Sequence, residues 1–288
     1  MKGATRREVF ARGVAALREA GIDTPALDAA VLLGYVTSQP PEAVLMDRGA
    51  SVTASEAALY SALVRKRCER TAVSRLVGVR EFYSRTFRVT DDVLDPRPET
   101  EVLVEHALRC LKGLRKPPAV LDVGTGSGAI AVTVAAEIPS ARVTATDISM
   151  AALAVARNNA ARQGVEERIR FVQADLLEPF RFGGRFDVIL SNPPYVSWAQ
   201  FENLPQEVRG GDPGTALVSG PEGLEFYAPL AAASRNLLVP GGSLMVEVGD
   251  GQDAAVAAIL KGAGFRDVRV VKDLAGRGRV VAGSSEDA

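Results

Sequence analysis

The chain has 288 residues, of which 47% are hydrophobic and 24% charged, which is the composition of a globular protein with one large or two ordinary domains. The formal net charge is −1, and no block of lysines or arginines indicates a surface that follows phosphates, so a pure nucleic-acid-binding module is disfavoured. A single histidine, His106, excludes a histidine-based catalytic triad and a multi-histidine metal site. The two cysteines, Cys68 and Cys110, form no paired motif, so neither a disulfide framework nor a zinc site is indicated. The charged N-terminal sequence is unlike a signal peptide, and no apolar run reaches the roughly 20 residues of a spanning helix, so we expect a cytoplasmic protein without membrane contact.

Residues 1–72 are predicted to form a small helical bundle. Apolar residues recur at helical spacing in VFARGVAALREA, PALDAAVLLGYV and ASEAALYSALVRKRCER, with breaks rich in Gly, Pro and Ser between them. Ten lysines and arginines stand against eight aspartates and glutamates in this stretch, a mild positive balance. The basic residues of VRKRCER are expected on a solvated helix face.

The rest of the chain is predicted to be a β-hairpin linker followed by an α/β domain. Residues 73–95 alternate β-branched and aromatic residues with polar ones, as hairpins do. From residue 96 to the end, apolar strands alternate with helices, which predicts a doubly wound parallel sheet whose ligands bind at the carboxyl ends of the strands. The predicted strands are 119–124, 141–147, 169–175, 186–192 and 242–249.

A glycine-rich turn and two aspartates follow successive predicted strands. Gly124, Gly126 and Gly128 in DVGTGSGA lack side chains, so the backbone can turn tightly and approach a ligand at a helix N-terminus. Asp147, 19 residues after Gly128, can accept hydrogen bonds from both ribose hydroxyls of a nucleoside, and Asp175 can meet an adenine amino group. This arrangement predicts a nucleoside site. If Ala129 replaces a third glycine, an NAD-dependent dehydrogenase remains an alternative at this point.

The tetrapeptide Asn192–Tyr195, in VILSNPPYVS, favours methyl transfer over hydride transfer. A dehydrogenase needs a proton-exchanging group and gains nothing from Asn-Pro-Pro-Tyr. An amide or aromatic amine nitrogen is a poor nucleophile because its lone pair is delocalised. The Asn192 side-chain oxygen and the Pro193 carbonyl could each accept one N–H of such an NH₂ group and direct its lone pair at the methyl of S-adenosylmethionine. Pro193 and Pro194 stiffen this backbone, and Tyr195 could lie against the planar group.

Several motifs together resemble the bacterial peptide chain release factor glutamine methyltransferases, the HemK or PrmC family. They are DVGTGSG, ATDIS, SNPPY, VLDPRPETEVLVE, the hairpin GVREFYSRTFRV and the final DLAGRGRVVAG. The resemblance implies a Rossmann-like, seven-stranded, S-adenosylmethionine-dependent methyltransferase domain behind a helical domain that helps to hold the partner. The implied partner is a peptide chain release factor, methylated on the side-chain amide of the glutamine in its Gly-Gly-Gln loop.

The resemblance also implies roles for individual residues. Asn192, Pro193, Pro194 and Tyr195 would hold the glutamine, and Asn192 would border the cofactor as well. Asp175 and Leu176 would flank the adenine. The remaining cofactor-binding residues would be Gly124, Thr125, Gly126, Ser127, Gly128 and Asp147.

Two other functions stay open, and three residues have no settled role. Amino methyltransferases of DNA and RNA carry similar tetrapeptides, although the weak basic charge disfavours them here, and the intact Asn-Pro-Pro-Tyr disfavours a non-catalytic cofactor-binding scaffold. Arg97 and Glu99 either position the cofactor or mark the start of a helix. Glu247, at a strand end, is expected to be a buried, paired carboxylate.

Overall fold

The computed structural model describes residues 4–178, 180 and 185–286. The chain folds into two compact units. The helical unit comprises Met1–Val79 together with Pro205–Gly211, and the sheet unit comprises Arg80–Leu204 together with Asp212–Ala288. No helix within the described ranges is long and apolar enough to cross a membrane.

In the described part of the chain five helices come before the first strand, and helices and strands are interspersed after it. The helices are α1 (Arg6–Glu19), α2 (Pro25–Thr37), α3 (Pro41–Met46), α4 (Ala54–Cys68), α5 (Val73–Val77), α6 (Thr100–Lys112), α7 (Ala129–Glu137), α8 (Met150–Arg162), α9 (Trp198–Glu202), α10 (Gln206–Arg209), α11 (Gly214–Leu217), α12 (Tyr227–Arg235) and α13 (Asp253–Gly262). The strands are β1 (Val79–Phe82), β2 (Arg85–Arg88), β3 (Ala119–Val123), β4 (Arg142–Asp147), β5 (Ile169–Gln173), β6 (Phe186–Ser191), β7 (Val196–Ser197), β8 (Val218–Gly220), β9 (Leu238–Glu247), β10 (Arg266–Lys272) and β11 (Gly278–Ser284).

The helical unit confirms the predicted bundle and shows how its helices begin. Thr5 and Glu8 form a capping box at the start of α1, and Thr53 and Glu56 form another at the start of α4, which satisfies amide groups that a helix leaves free. The apolar faces of the helices enclose one core. Its buried residues include Val9, Leu17, Leu32, Leu33, Tyr60 and Val64.

The β-hairpin is shorter than predicted, because residues 73–77 form helix α5. The apolar side chains of α5 pack against the core of the helical unit, so their spacing serves a helix. Gly78 ends α5 with a φ of 73°. The hairpin itself is β1 and β2, joined by Tyr83 and Ser84, which both have positive φ, as two-residue hairpin turns of type I′ require.

A seven-stranded sheet forms the centre of the sheet unit, in the order β10-β11-β9-β6-β3-β4-β5. All five strands predicted from the sequence are present, and the number of strands is the one that the family resemblance implies. The strand pattern predicts a parallel sheet, but the sheet is mixed, because β11 runs antiparallel to both β9 and β10.

The central strands β3 and β6 are buried on both faces, which explains why they are nearly continuous apolar runs. Along β3, Val120 packs into one layer with α6 and α7, and the next residue, Leu121, packs into the opposite layer with α12 and α13. Ile189 and Leu190 on β6 divide in the same way. Successive side chains of a strand point to opposite faces of the sheet, so neighbouring residues enter different core layers.

The order in which strands are added to the sheet reverses at β3. From β3 the chain adds β4 and β5 on one side and then returns to place β6 on the other side. The last residue of β3, Val123, is in register with Thr146 of β4 and Ser191 of β6. Loops that follow these strands therefore meet at one edge, the position at which open α/β sheets bind ligands.

Candidate functional site

A pocket of about 370 Å³ lies at the carboxyl ends of β3, β4, β5 and β6. Its walls come from the strand-end loops, from the segment that follows the hairpin and from the chain around β8. The lining residues are Asp92, Val93, Leu94, Val123, Gly124, Gly126, Thr146, Asp147, Ile148, Ser149, Ala152, Ala174, Asp175, Leu176, Ser191, Asn192, Pro193, Pro194, Pro213, Thr215, Ala216, Val218 and Phe226.

The glycine-rich turn between β3 and α7 forms one side of the pocket with bare backbone. Gly124 and Gly126 have φ values of 72° and 55°, and a Cβ built on either would meet no atom within 4 Å. Gly128 has φ 81°, and a Cβ there would lie 3.0 Å from the Cβ of Ala156 on α8. The first two glycines therefore keep space open beside the pocket, whereas Gly128 permits close packing of α7 on α8.

Asp122, at the end of β3, supports this turn through hydrogen bonds, a role that the sequence did not indicate. It is fully buried, and its Oδ2 accepts the Thr125 hydroxyl at 2.6 Å and the Ala131 amide at 3.2 Å. Burial raises the pKa of this carboxyl to about 7. Ser127 is also buried, and its carbonyl accepts the Asn159 side-chain amide at 2.8 Å. Asp122, Thr125 and Ser127 thus hold the turn in shape.

Asp147, predicted to bind a ribose, ends β4 and lines the pocket. Its Oδ2 accepts the Gly126 amide at 2.9 Å, and its Oδ1 accepts the Ser149 amide at 2.9 Å. Each oxygen retains acceptor capacity beyond these bonds. Asp175 is exposed, and Leu176 adopts a φ of 48°; both lie on the wall that follows β5.

Asn192 lies directly after β6 with its side chain fixed at one end. Its Nδ2 donates to the hydroxyl of Thr100 at 3.1 Å. Its Oδ1 is buried and has no hydrogen-bond partner among the described residues. Because a buried carbonyl oxygen without a donor is costly, this atom is a ready acceptor for an incoming N–H group.

The rest of the tetrapeptide is supported by the core layer that contains α12 and α13. Pro193 and Pro194 line the pocket, but Tyr195 does not: its half-buried ring packs against the core layer of α12 and α13. The Tyr195 carbonyl accepts the Gln252 side-chain amide at 2.9 Å. Gln252 also accepts the Gly249 amide at 3.0 Å, so it ties the tetrapeptide to the loop after β9.

The three residues without a settled role have different surroundings. Arg97 forms a salt bridge with the buried carboxylate of Asp212, while Glu99 is exposed at the start of α6. Glu247, at the end of β9, is 1% exposed, and its Oε2 has no hydrogen-bond partner among the described residues, so the expected burial is found but the expected pairing is not. The sequence did not reveal that the Thr100 hydroxyl accepts a hydrogen bond from Asn192.

The pocket brings together eight of the predicted site residues. They are Gly124, Gly126, Asp147, Asp175, Leu176, Asn192, Pro193 and Pro194. Thr125, Ser127, Gly128 and Tyr195 lie behind its walls. The supporting residues that sequence reasoning missed, Asp122, Thr100 and Gln252, carry little local signal, although Asp122 and Thr100 lie within motifs that carry the family resemblance.

Two family models match the chain. The Methyltransferase small domain covers residues 97–207, and the PrmC N-terminal domain covers residues 8–78. A solved structure, the delta-N METTL16 MTase domain, has the same fold: it superposes with a TM-score of 0.52 at 19% identity, over 70% of this chain and 89% of that one.

Curated relatives match nearly the whole chain. The chain is 43% identical to a release factor glutamine methyltransferase of Chlorobaculum tepidum, over 92% of both chains. It is also 43% identical to one of Cereibacter sphaeroides, over 92% of this chain and 93% of that one. The chain therefore belongs to the release factor glutamine methyltransferase family.

Proposed function

We propose that this enzyme transfers a methyl group from S-adenosylmethionine to the side-chain amide nitrogen of the glutamine in the Gly-Gly-Gln loop of peptide chain release factors. The observation that carries the proposal is the Asn192 side chain, whose nitrogen is engaged by Thr100 and whose buried oxygen is left as an acceptor at the pocket. Names of relatives 43% identical over most of the chain support the same substrate.

The pocket has the features that S-adenosylmethionine requires. Open space beside Gly124 and Gly126, which any side chain would fill, leaves backbone free to approach the cofactor. Asp147 would hold the ribose hydroxyls, and Asp175 and Leu176 would flank the adenine. When bound, the cofactor supplies an electrophilic methyl: a nitrogen–carbon bond forms as the carbon–sulfur bond breaks, sulfur keeps the electron pair, and the amide proton passes to water.

The chain's own residues prepare the acceptor nitrogen. The Asn192 Oδ1 and the Pro193 carbonyl would each accept one N–H of the glutamine amide, which fixes the nitrogen and directs its lone pair into the pocket. Proline at positions 193 and 194 keeps these acceptors in place before the substrate arrives. The ring of Tyr195 packs against the core layer of α12 and α13, so Tyr195 would brace this backbone instead of covering the amide. No strong base is needed, because the alkylated nitrogen is itself a strong acid.

Selection of the partner would come from surface away from the reacting atoms, since a glutamine side chain is alike in every protein. We assign this role to the helical unit, which would act as the substrate-docking domain. Its exposed apolar side chains include Leu27, Tyr35 and Met46, and Met46 is 87% exposed. Replacing Tyr35 and Met46 with alanine should raise KM for an intact release factor but leave KM for a short Gly-Gly-Gln peptide unchanged.

Mass spectrometry tests the proposal as a whole. Purified release factor is incubated with this protein and S-adenosylmethionine, digested and sequenced. A gain of one methyl group on the loop glutamine supports the proposal. A release factor in which that glutamine is replaced by alanine serves as the control and should gain none. Methylation of DNA or RNA in parallel reactions, with unmodified release factor, would instead assign a nucleic-acid amino methyltransferase.

A further inference from the structure

The side chain of Gln252 joins three loops, those that follow β6, β8 and β9. Gln252 directly precedes α13, yet its side chain makes no hydrogen bond with the start of that helix. Its Nε2 donates to the Tyr195 carbonyl at 2.9 Å and to the Gly223 carbonyl at 3.2 Å. Its Oε1 accepts the Gly249 amide at 3.0 Å. Both N–H groups and the oxygen of this side-chain amide are therefore engaged by backbone of other loops.

The three backbone partners fix the Gln252 amide in one orientation. A backbone carbonyl only accepts a hydrogen bond, and a backbone N–H only donates one. If the amide were turned by 180°, its oxygen would face the carbonyls of Tyr195 and Gly223, and its NH₂ group would face the N–H of Gly249. All three hydrogen bonds would be lost in partly buried surroundings, which is costly. Gln252 is thus a fixed donor to the Tyr195 carbonyl.

Two glycines let Tyr195 approach Gln252 this closely. Gly223 has a φ of 78°, and a Cβ built on it would overlap the Tyr195 carbonyl oxygen. A Cβ on Gly249 would lie 3.0 Å from Cδ2 of the Tyr195 ring and 2.8 Å from Oε1 of Gln252. A larger residue at either position would displace the backbone or the ring of Tyr195. We call Gln252, Gly223 and Gly249 together the Tyr195 socket.

The Asn192–Tyr195 tetrapeptide has few other means of being held in place. Pro193 and Pro194 have no N–H, so neither can donate a backbone hydrogen bond. Their rings fix φ, but the direction of each peptide plane also depends on ψ, which the ring of Pro194 does not fix. The side chain of Asn192 is held at one end of the tetrapeptide. The Tyr195 socket holds the other end, so the backbone between the two ends is fixed from both sides.

We infer that Gln252 is a positioning residue that aligns the Pro193 carbonyl and Asn192 for methyl transfer by holding the Tyr195 carbonyl. This inference rests on the proposed function, in which those two groups accept the N–H bonds of the glutamine amide. Gln252 is not among the described residues that line the pocket. It therefore acts through the tetrapeptide backbone, and its loss should misalign the bound amide nitrogen and lower kcat while S-adenosylmethionine still binds.

Substitutions of Gln252 that keep its size test the inference by activity. Gln252→Glu replaces the donating NH₂ group by an oxygen that repels both carbonyls, and Gln252→Met removes the polar atoms. In both variants kcat on release factor should fall about ten- to a hundredfold. The calorimetric affinity for S-adenosylmethionine should stay within about twofold of the wild type. The matched control is Gln163→Glu, which also loses a hydrogen bond from Nε2 to a backbone carbonyl, that of Thr86, and it should keep the wild-type kcat.

A pair of glycine substitutions displaces the Tyr195 carbonyl without changing Gln252. Gly223 and Gly251 have φ values of 78° and 77°, so alanine strains the backbone equally at both. A Cβ on Gly251 meets no atom within 4 Å, whereas one on Gly223 overlaps the Tyr195 carbonyl. Gly223→Ala should therefore lower kcat by about tenfold or more, and Gly251→Ala should not. If circular dichroism shows that Gly223→Ala does not fold, the two Gln252 variants still decide.

A measurement without turnover separates this inference from the proposed function. Protein labelled with ¹³C-carbonyl tyrosine and ¹⁵N-valine gives coupled signals only from Tyr35–Val36 and Tyr195–Val196. In Gln252→Met the Tyr195–Val196 carbonyl signal should move, and that of Tyr35–Val36 should stay as the internal reference. If the signal moves so and the wild type methylates no release factor, the proposed function fails and the hold of Gln252 on Tyr195 stands.

Three results would overturn the inference while leaving the proposed function intact. They are methylation of release factor with wild-type kcat by Gln252→Glu, an unmoved Tyr195–Val196 signal in Gln252→Met, and equal kcat in folded Gly223→Ala and Gly251→Ala. A loss of cofactor affinity as large as the loss of kcat in Gln252→Met would also overturn it, because the pocket as a whole would then depend on Gln252.

Discussion

The glycine turn offers a prediction in which two nearby alanine substitutions rank in opposite order for stability and for cofactor affinity. Gly126 and Gly128 both have positive φ, so either alanine costs about 1–2 kcal/mol of backbone strain. Only Gly128 faces protein: its new Cβ would lie 3.0 Å from the Ala156 Cβ, 3.1 Å from the Ala156 Cα and 3.3 Å from Val132 Cγ2. Such overpacking adds about 1–3 kcal/mol. We therefore expect Gly128→Ala to lower the unfolding free energy by about 2–5 kcal/mol and Gly126→Ala by about 1–2 kcal/mol.

Cofactor affinity should rank the two variants in the reverse order. The methyl of Gly126→Ala would project into the open space beside the pocket, where we expect the cofactor to contact the backbone of the turn. It should therefore weaken S-adenosylmethionine binding by about tenfold or more, which corresponds to about 1.4 kcal/mol. Folded Gly128→Ala should bind nearly as the wild type does. Urea titrations followed by circular dichroism give the stabilities, and calorimetry gives the affinities. Equal destabilisation, or full affinity in Gly126→Ala, would refute this reading of the turn.

Three further predictions concern single side chains. Asp147→Ala should weaken S-adenosylmethionine binding by about 1.5–3 kcal/mol in calorimetry, because it removes the acceptor of the Gly126 amide as well as the proposed ribose acceptor; unchanged affinity would remove Asp147 from the site. Asn192→Ala should lose most turnover and keep most cofactor affinity, and near-normal turnover would contradict the acceptor role. Glu247 has a pKa raised from its ordinary 4.5 to about 7, so the folded protein is penalised as pH rises through this window, and Glu247→Gln should gain stability relative to the wild type between pH 4.5 and 7 in urea titrations.

The sheet could be predicted from the sequence where burial on two faces leaves a simple pattern. β3 and β6 are short runs of apolar residues, each ended by a polar or glycine turn, and their predicted bounds lie within one or two residues of those in the structure. β10 and β11 were not predicted. β10 alternates charged and half-buried residues at the edge of the sheet, so its pattern resembles that of a surface loop.

The residues that line the pocket could be predicted from sequence motifs, but the side chains that support those residues could not. Gly126, Asp147 and Asn192 follow strand ends, and parallel strands bring such positions to one edge whatever the detailed packing. Gln252 reaches the Tyr195 carbonyl across 57 positions of sequence, and Thr100 reaches Asn192 across 92. Local spacing contains no information on pairs of this separation, so the orientation of the Asn192 amide could not be predicted.

Arg67 shows the same limit in the helical unit, because the prediction of a solvated basic face holds for Arg65 and Lys66 but is wrong for Arg67. The run VRKRCER was expected to be solvated, yet the side chain of Arg67 is 9% exposed. Its Nε donates to Asp28 on α2 at 2.7 Å, and its Nη1 donates to Glu207 on α10, 140 positions later. A buried guanidinium is tolerated only when its charge is paired, so Asp28 and Glu207 are what allow Arg67 to lie inside. The segment Pro205–Gly211 follows the Asn-Pro-Pro-Tyr loop in the chain but packs with the helical unit. An arginine whose local sequence indicates a surface charge is thus paired with a carboxylate of this distant segment.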